Sequence, residues 1–363
     1  MKDHYPPRLS IQALRGAAAL LVVFFHLRIV ETRYGDGGSL LPSWLGFADG
    51  GVDLFFVISG FIMATLAARS RRGLIDAGHF LRRRLWRVVP LYWLYTTLVV
   101  VVMVIAPGMV NSSYAEQDIL ASYLLWPQAT LPVLTVGWTL IHELYFYLVM
   151  ALAIALVPHR YRPMVLLGWA ATIVGAQVWM PTPLSPLFSV VFNAMTLEFI
   201  GGAVLGLYWR RLPVRAAMAC LPLGVVAFGL GMWGLDRFQD GLPSVDGHDP
   251  LVRTMVFGTA SMLIVLGAVA LETTCRWTPP RWLLAIGDSS YSLYLSHVFV
   301  VSAAGRFWSM STLNHSALAH ATFVLITVAA CVVVGLLSYR LLEQPLLAWR
   351  SSPAHDSTAP SCR

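Results

Sequence analysis

Two polar residues interrupt the apolar run over residues 11–27, IQALRGAAALLVVFFHL: Arg15 near its start and His26 near its end. They stand eleven positions apart. At about 3.6 residues per turn that interval closes three turns and overshoots by about 20°, so both side chains share one helix face, about 16 Å apart along the axis. An ionisable group inside a bilayer is costly and faces the bundle interior or a wet path. Arg15 read alone is a cation that snorkels to the cytoplasmic headgroups, and His26 alone is a cap at the far end. The pair on one stripe reads instead as the two ends of one polar channel.

Three further apolar runs carry titratable groups: Asp53 in GVDLFFVISGFIM, Glu143 in GWTLIHELYFYL and His297 in DSSYSLYLSH. With His26 they give two histidines and two carboxylates at similar depth, a set suited to acid–base chemistry. Asp53 and His297 serve equally well as partners in hydrogen bonds between helices. His26 and Glu143 lie deeper in apolar sequence, which favours function. The segment FLRRRLWRVVPLYW carries Arg82, Arg83, Arg84 and Arg87. Arg84 and Arg87 are three apart and share a helix face, and guanidinium forks bind phosphates bidentately. The competing reading of these arginines is a positive-inside signal that binds lipid headgroups. Glu343, in YRLLEQP, is expected to be a structural partner of this cationic surface.

The elements that position these groups are membrane helices. The chain of 363 residues is 57% hydrophobic and only 12% charged, with a mean hydropathy of +0.68. Soluble domains carry about a quarter charged residues, so the expected fold class is an all-α polytopic membrane protein. About ten transmembrane helices are expected, near 10–29, 50–68, 87–107, 137–157, 163–181, 187–209, 216–235, 252–271, 283–304 and 317–341. The net charge of +7 resembles a nucleic-acid signal, but its arginines cluster in short connections. Residues 69–87, 158–162, 210–215 and 272–282 hold them, all even-numbered loops, whereas 108–136 has no Lys or Arg. Both termini are therefore expected in the cytoplasm, with no nucleic-acid partner. The first run lacks a small-residue cleavage site and reads as an uncleaved span. Residues 1–350 read as one integral membrane domain and 351–363 as a short disordered cytoplasmic tail. Cys220, Cys275, Cys331 and Cys362 form no metal-spacing pair and suggest no disulfide framework. No repeat period is evident, and no metal site is expected.

With that topology the polar residues divide. A cationic mouth faces the cytoplasm, an acid–base group faces outward, and Arg15 and His26 join them along one helix. Such a layout suits a phosphate-bearing donor with a long arm inside and an acceptor outside. The segments LRGAAALLVVFFH, GVDLFFVISGF, RRLWRVVPLYW, GWTLIHELYFY, SYSLYLSH and YRLLEQP, in this order from residue 11 to 347, resemble the motifs of the acyltransferase family 3 membrane proteins. IQALRG, LLWPQ and GWTL further resemble the branch that acetylates bacterial exopolysaccharides.

The resemblance implies transfer of an acyl group, acetyl before others, from cytoplasmic acyl-CoA to a hydroxyl of a cell-surface or exopolysaccharide sugar. It places the family's R-x10-H pair on Arg15 and His26, its R-x-x-R motif on Arg84 and Arg87, and its span-4 glutamate on Glu143. His142 stands where relatives often have Asn or Tyr. On this reading His26 is the general base, with transient acylation of His26 as a variant, and Glu143 orients or charges its imidazole. Arg15, Arg84 and Arg87 bind acetyl-CoA, the acyl donor. Asp53, Trp138, Tyr147 and His297 are candidate substrate-binding residues, with Tyr145 beside them. The expected partners are the lipid bilayer, a polyprenyl-linked oligosaccharide acceptor and the polysaccharide assembly machinery, in a bacterial inner membrane. The rival reading is a transporter or flippase for a polysaccharide precursor, which would also carry intramembrane His, Glu and Arg. Against it stands the lack of an inverted repeat or matched broken segments.

Overall fold

In hydrocarbon every backbone N–H and C=O must be satisfied within the chain, which leaves helices as the answer to long apolar runs. A computed structural model describes residues 9–34, 39–106, 117–180, 184–238, 249–310 and 316–350. Among these the chain is helical, without strands. The helices are α1 (Leu9–Tyr34), α2 (Gly51–Ala67), α3 (Leu74–Ile105), α4 (Ile119–Leu124), α5 (Trp138–Leu156), α6 (Arg162–Trp179), α7 (Pro186–Val191) and α8 (Thr196–Tyr208). They continue as α9 (Val214–Phe238), α10 (Pro250–Arg253), α11 (Thr259–Cys275), α12 (Arg281–Asp288), α13 (Ser290–Ser309), α14 (Ala317–Ser338) and α15 (Gln344–Arg350).

A helix or helix pair covers each of the ten expected spans. Among the described residues eight stretches are long and apolar enough to cross a membrane by length and composition. Helices α6 and α13 fall outside that set. For α13 the reason is visible: Ser290, Ser292, Ser296 and His297 are buried inside the bundle, so its polar residues face protein and not lipid. The expected tail over 351–363 and Cys362 lie outside the described residues.

Small residues set the closest helix approaches, because apolar side chains gain little by leaving apolar lipid. Helices α2 and α8 meet backbone to backbone. A Cβ on Gly60 would lie 1.9 Å from the Phe199 carbonyl oxygen, and one on Gly202 would lie 2.0 Å from that of Val57. Helix α1 is held in the same way against α12, where a Cβ on Gly287 would lie 2.0 Å from the Gln12 carbonyl oxygen. That contact anchors the turn bearing Arg15. The base of α1 is tied further by Glu272 at the end of α11, which accepts from the backbone N–H of Leu9 (3.1 Å) and Ser10 (3.0 Å).

Two π-helical turns interrupt otherwise regular helices, a feature that recurs where a helix must re-aim a side chain. The first, Thr254–Gly258, follows Arg253 directly; the second, Tyr339–Glu343, ends on a buried Glu343. Helix α13 is fixed at its Ser290 end by Ser292 Oγ, which donates to Glu343 (2.6 Å), and by the Tyr291 hydroxyl, which donates to the Val88 carbonyl of α3 (2.7 Å).

Candidate active site

Two cavities lie end to end in the bundle. The first, about 290 Å³, is lined by Arg15 of α1, Arg84 and Arg87 of α3, and Glu143 and Tyr147 of α5, with apolar side chains of α2 between them. Three guanidiniums thus face one carboxylate. Glu143 is itself engaged, accepting from Ser59 Oγ of α2 (2.7 Å) and from the Tyr147 hydroxyl. Arg15 and Arg87 are near enough to repel one another, and Glu343 lies within electrostatic reach of both. A largely apolar pocket lined by more guanidiniums than carboxylates suits an anionic ligand.

The second cavity, about 360 Å³, holds His26, Asp49, Trp138, His142, Asn193 and Arg253 among its lining residues. Here the charge is compensated. The guanidinium of Arg253 donates to carboxylate oxygens of both Asp49 and Asp53, and a second bond reaches the Asp49 carbonyl oxygen (3.2 Å). Trp138 packs edge-on to His142, with ring centroids 5.9 Å apart.

The His26 ring is oriented by two groups. Its Nδ1 lies 3.0 Å from the Val22 carbonyl oxygen and 3.2 Å from His297 Nε2. His297 Nδ1 in turn lies 3.2 Å from the Leu293 carbonyl oxygen. A carbonyl only accepts, so the proton is assigned to each Nδ1, and that of His26 is shared between the Val22 carbonyl and His297 Nε2. This tautomer leaves Nε2 of His26 as its basic nitrogen. His297 is fully buried behind it, and Asp49 acts on His26 electrostatically within the same cavity.

These arrangements set three guanidiniums and an imidazole in adjoining cavities that α1 touches with Arg15 and His26, and sequence similarity names the chemistry. The acyltransferase domain of acyltransferase family 3 matches residues 8–339. The chain belongs to the acyltransferase 3 family. It is 30% identical, over 82% of its length and 89% of the relative's, to the exopolysaccharide production protein ExoZ of Rhizobium meliloti strain 1021. It is 22% identical to the O-acetyltransferase OatA of Staphylococcus aureus, a match that covers 95% of this chain and 58% of OatA. No solved structure matches it. The protein is thus a multi-pass membrane acyltransferase.

Within this acyltransferase 3 chain the expected residues separate into two groups. Arg15, Arg84, Arg87, Glu143 and Tyr147 meet in the first cavity; His26 and Trp138 line the second, with His297 behind His26. Glu143 was expected to orient His26, but it accepts from Ser59 and Tyr147, and the ring bonded to His26 is that of His297. Asp53 lines neither cavity and is buried in its pairing with Arg253. The Tyr145 hydroxyl donates to the Val191 carbonyl (3.4 Å), and Tyr145 also lines neither. Arg253, Asp49, Asn193 and the buried Glu198 beside Asp53 were missed. Arg253 did carry a signal: it is an arginine at the start of span 8, on the side where the positive-inside rule disfavours arginine. Glu198, a carboxylate in the apolar run TLEFIGG, carried another. Among the described residues no group of three His, Cys, Asp or Glu is placed to hold a metal ion.

Proposed function

We propose that this acyltransferase moves an acetyl group from cytoplasmic acetyl-CoA to a hydroxyl of an exopolysaccharide sugar, carried on a polyprenyl-linked oligosaccharide, in a bacterial inner membrane. The observation that carries the reading is the pairing of an arginine-rich cavity with a histidine cavity along one face of α1. The arginine-rich connection over 69–87 runs into Arg84 and Arg87, which supports a cytoplasmic opening for the first cavity. The names of ExoZ and OatA support a polysaccharide product and an acetyl group.

Each residue then has a task. Arg84 and Arg87 hold donor phosphates by bidentate bonds, and Arg15 holds the donor deeper in the same cavity. Glu143, fixed by Ser59 and Tyr147, keeps the three guanidiniums apart and in register. In the second cavity Trp138 offers a flat apolar face to a sugar ring, and Asp49, Asn193 and Arg253 offer hydrogen-bonding edges. His26 Nε2 takes the proton of the sugar hydroxyl as its oxygen attacks the thioester carbonyl carbon; the C–S bond breaks, and the proton leaves with the thiolate. The imidazolium formed on the way keeps its Nδ1–H on His297 Nε2.

Membranes containing the protein, given radiolabelled acetyl-CoA and the host's lipid-linked oligosaccharides, test the whole reading. Base-labile label in the sugar fraction is the expected outcome. Label that never leaves the nucleotide, with the protein folded and inserted, would refute it.

A further inference from the structure

The two cavities are separated by very little. Val52, in the first turn of α2, and Tyr294, in the second turn of α13, are the two described residues that line both. They are 4% and 7% exposed. The Tyr294 hydroxyl donates to the Val136 carbonyl oxygen (3.0 Å) and lies 2.8 Å from Thr139 Oγ1. Thr139 Oγ1 also reaches the Val136 carbonyl, at 3.0 Å. Of these two partners, Thr139 lines the arginine cavity and Val136 the histidine cavity. The hydroxyl is thus latched at the boundary itself. The tyrosine ring is braced by Phe55 (ring centroids 6.1 Å) and by His297 (5.9 Å). One isopropyl group and one latched ring therefore stand between the guanidiniums and the base.

We propose that Tyr294, latched by Thr139 and abutted by Val52, is the specificity-determining gate for the acyl group, admitting a two-carbon chain to His26 and holding back longer ones. The inference rests on the functional reading above, in which the acyl group must reach a hydroxyl held in the other cavity. Among the described residues Val52 and Tyr294 are the ones common to both cavity walls, so the direct way from the arginines to Nε2 of His26 runs past this septum. Both side chains of the septum are buried in helices and the tyrosine hydroxyl is hydrogen-bonded, so its aperture is set by packing and not by a mobile loop. A wall of this kind discriminates by size: each added methylene must displace an atom that already has its contacts. The latch adds a second property. Swinging the ring aside breaks the bonds to Val136 and Thr139 together, so the closed position of the ring is favoured.

The test is a donor series, acetyl-, propionyl-, butyryl- and hexanoyl-CoA, with the full-length protein in membranes and transfer to lipid-linked oligosaccharide as the readout. The wild type should favour acetyl over butyryl. Tyr294→Ala, which removes the ring, should raise the butyryl-to-acetyl ratio of kcat/KM by about tenfold or more, the scale at which a pocket distinguishes methylenes. Val52→Ala should raise it less, and Thr139→Val, which frees the latch but keeps the ring, least. Because the readout is a ratio between donors, a general loss of folded protein does not move it. Should Tyr294→Ala fail to insert, Val52→Ala and Thr139→Val carry the test. A wild type that uses butyryl-CoA as readily as acetyl-CoA overturns the gate, as does a ratio unchanged in the inserted variants. If the wild type transfers no acyl group from any CoA ester, the functional reading fails and not the gate alone.

Discussion

The two cavities hold arginine on opposite terms. In the histidine cavity Arg253 is bonded to Asp49 and Asp53, and the charge is spent inside the protein. In the arginine cavity three guanidiniums line a space that one carboxylate shares, and that carboxylate already accepts from Ser59 and Tyr147. In the first the guanidinium is held by carboxylates; the second has room and positive charge for an anion. On the proposed reading the same residue type is structural in one place and binds a ligand in the other, and its carboxylate neighbours decide which. The histidine cavity presents paired charges and hydrogen-bonding edges, which suits a sugar, whereas the arginine cavity suits phosphates.

The largest expected effect comes from breaking the alignment of the two cavities on α1. One alanine inserted after Ala19 keeps Arg15, His26, the charge and the apolar length, but turns His26 by about 100° relative to Arg15. Transfer should be abolished in protein that still inserts in the correct orientation. Near-normal transfer would show that the cavities need not share one helix face, and Arg15 would revert to a headgroup anchor.

Next in size is the loss of the base. His26→Ala should lower kcat by about 10²–10⁴-fold, the usual contribution of a positioned general base, and leave donor affinity nearly unchanged. In the wild type, transfer should fall on acidification, because an imidazole that already carries a proton on Nε2 cannot accept one. A rate flat from mildly acidic to neutral pH would remove His26 from that role. Equal losses of donor affinity and kcat in His26→Ala would mean that the two cavities are one site energetically.

The arginine cavity should show the reverse pattern. Arg84→Ala and Arg87→Ala should each weaken acetyl-CoA binding by about ten- to hundredfold, the value of a charge-assisted hydrogen bond, and leave kcat at saturating donor close to normal. Lysine should restore only part, since a planar fork becomes a point charge. Binding to detergent-purified protein measures this directly. Unchanged affinity in the folded double variant would assign both residues to lipid headgroups.

Legibility in the sequence follows the same division. The helices were readable because apolar length is a local property, and Arg15, Arg84 and Arg87 were readable because their spacing along single helices fixes a face. What was not readable is lateral: which side chains from different helices meet. Tyr147, four residues beyond Glu143, shares its helix face, but nothing in the spacing says that this glutamate of α5 also meets Ser59 of α2, or that α13 brings His297 to His26. Those meetings depend on backbone approaches such as that of Gly60 to Phe199, which sequence marks only as small residues. The π-helical turn before Glu343 was equally hidden, since it changes the direction of a helix face without changing its composition.

The smallest effect sharpens the comparison most, because it asks whether the histidine cavity orients its base without a carboxylate. His26 Nδ1 has two neighbours, a backbone carbonyl and His297 Nε2. The carbonyl comes with any helix; His297 is the part supplied by sequence. As His26 takes up a proton its Nδ1–H becomes a stronger donor, so the acceptor is worth more in the transition state than before it, and its loss should appear in kcat and not in KM. A neutral acceptor is worth about three- to tenfold in rate by the usual value of one hydrogen bond. Packing and acceptance can be separated by two variants of similar size: His297→Gln keeps an oxygen that can accept, and His297→Met fills the space without one. Gln should run several-fold faster than Met, with equal thermal stability and equal affinity for acetyl-CoA. Equal kcat values for the two would reduce His297 to packing, and the orientation of His26 would then fall to the Val22 carbonyl and to the field of Asp49 within the same cavity.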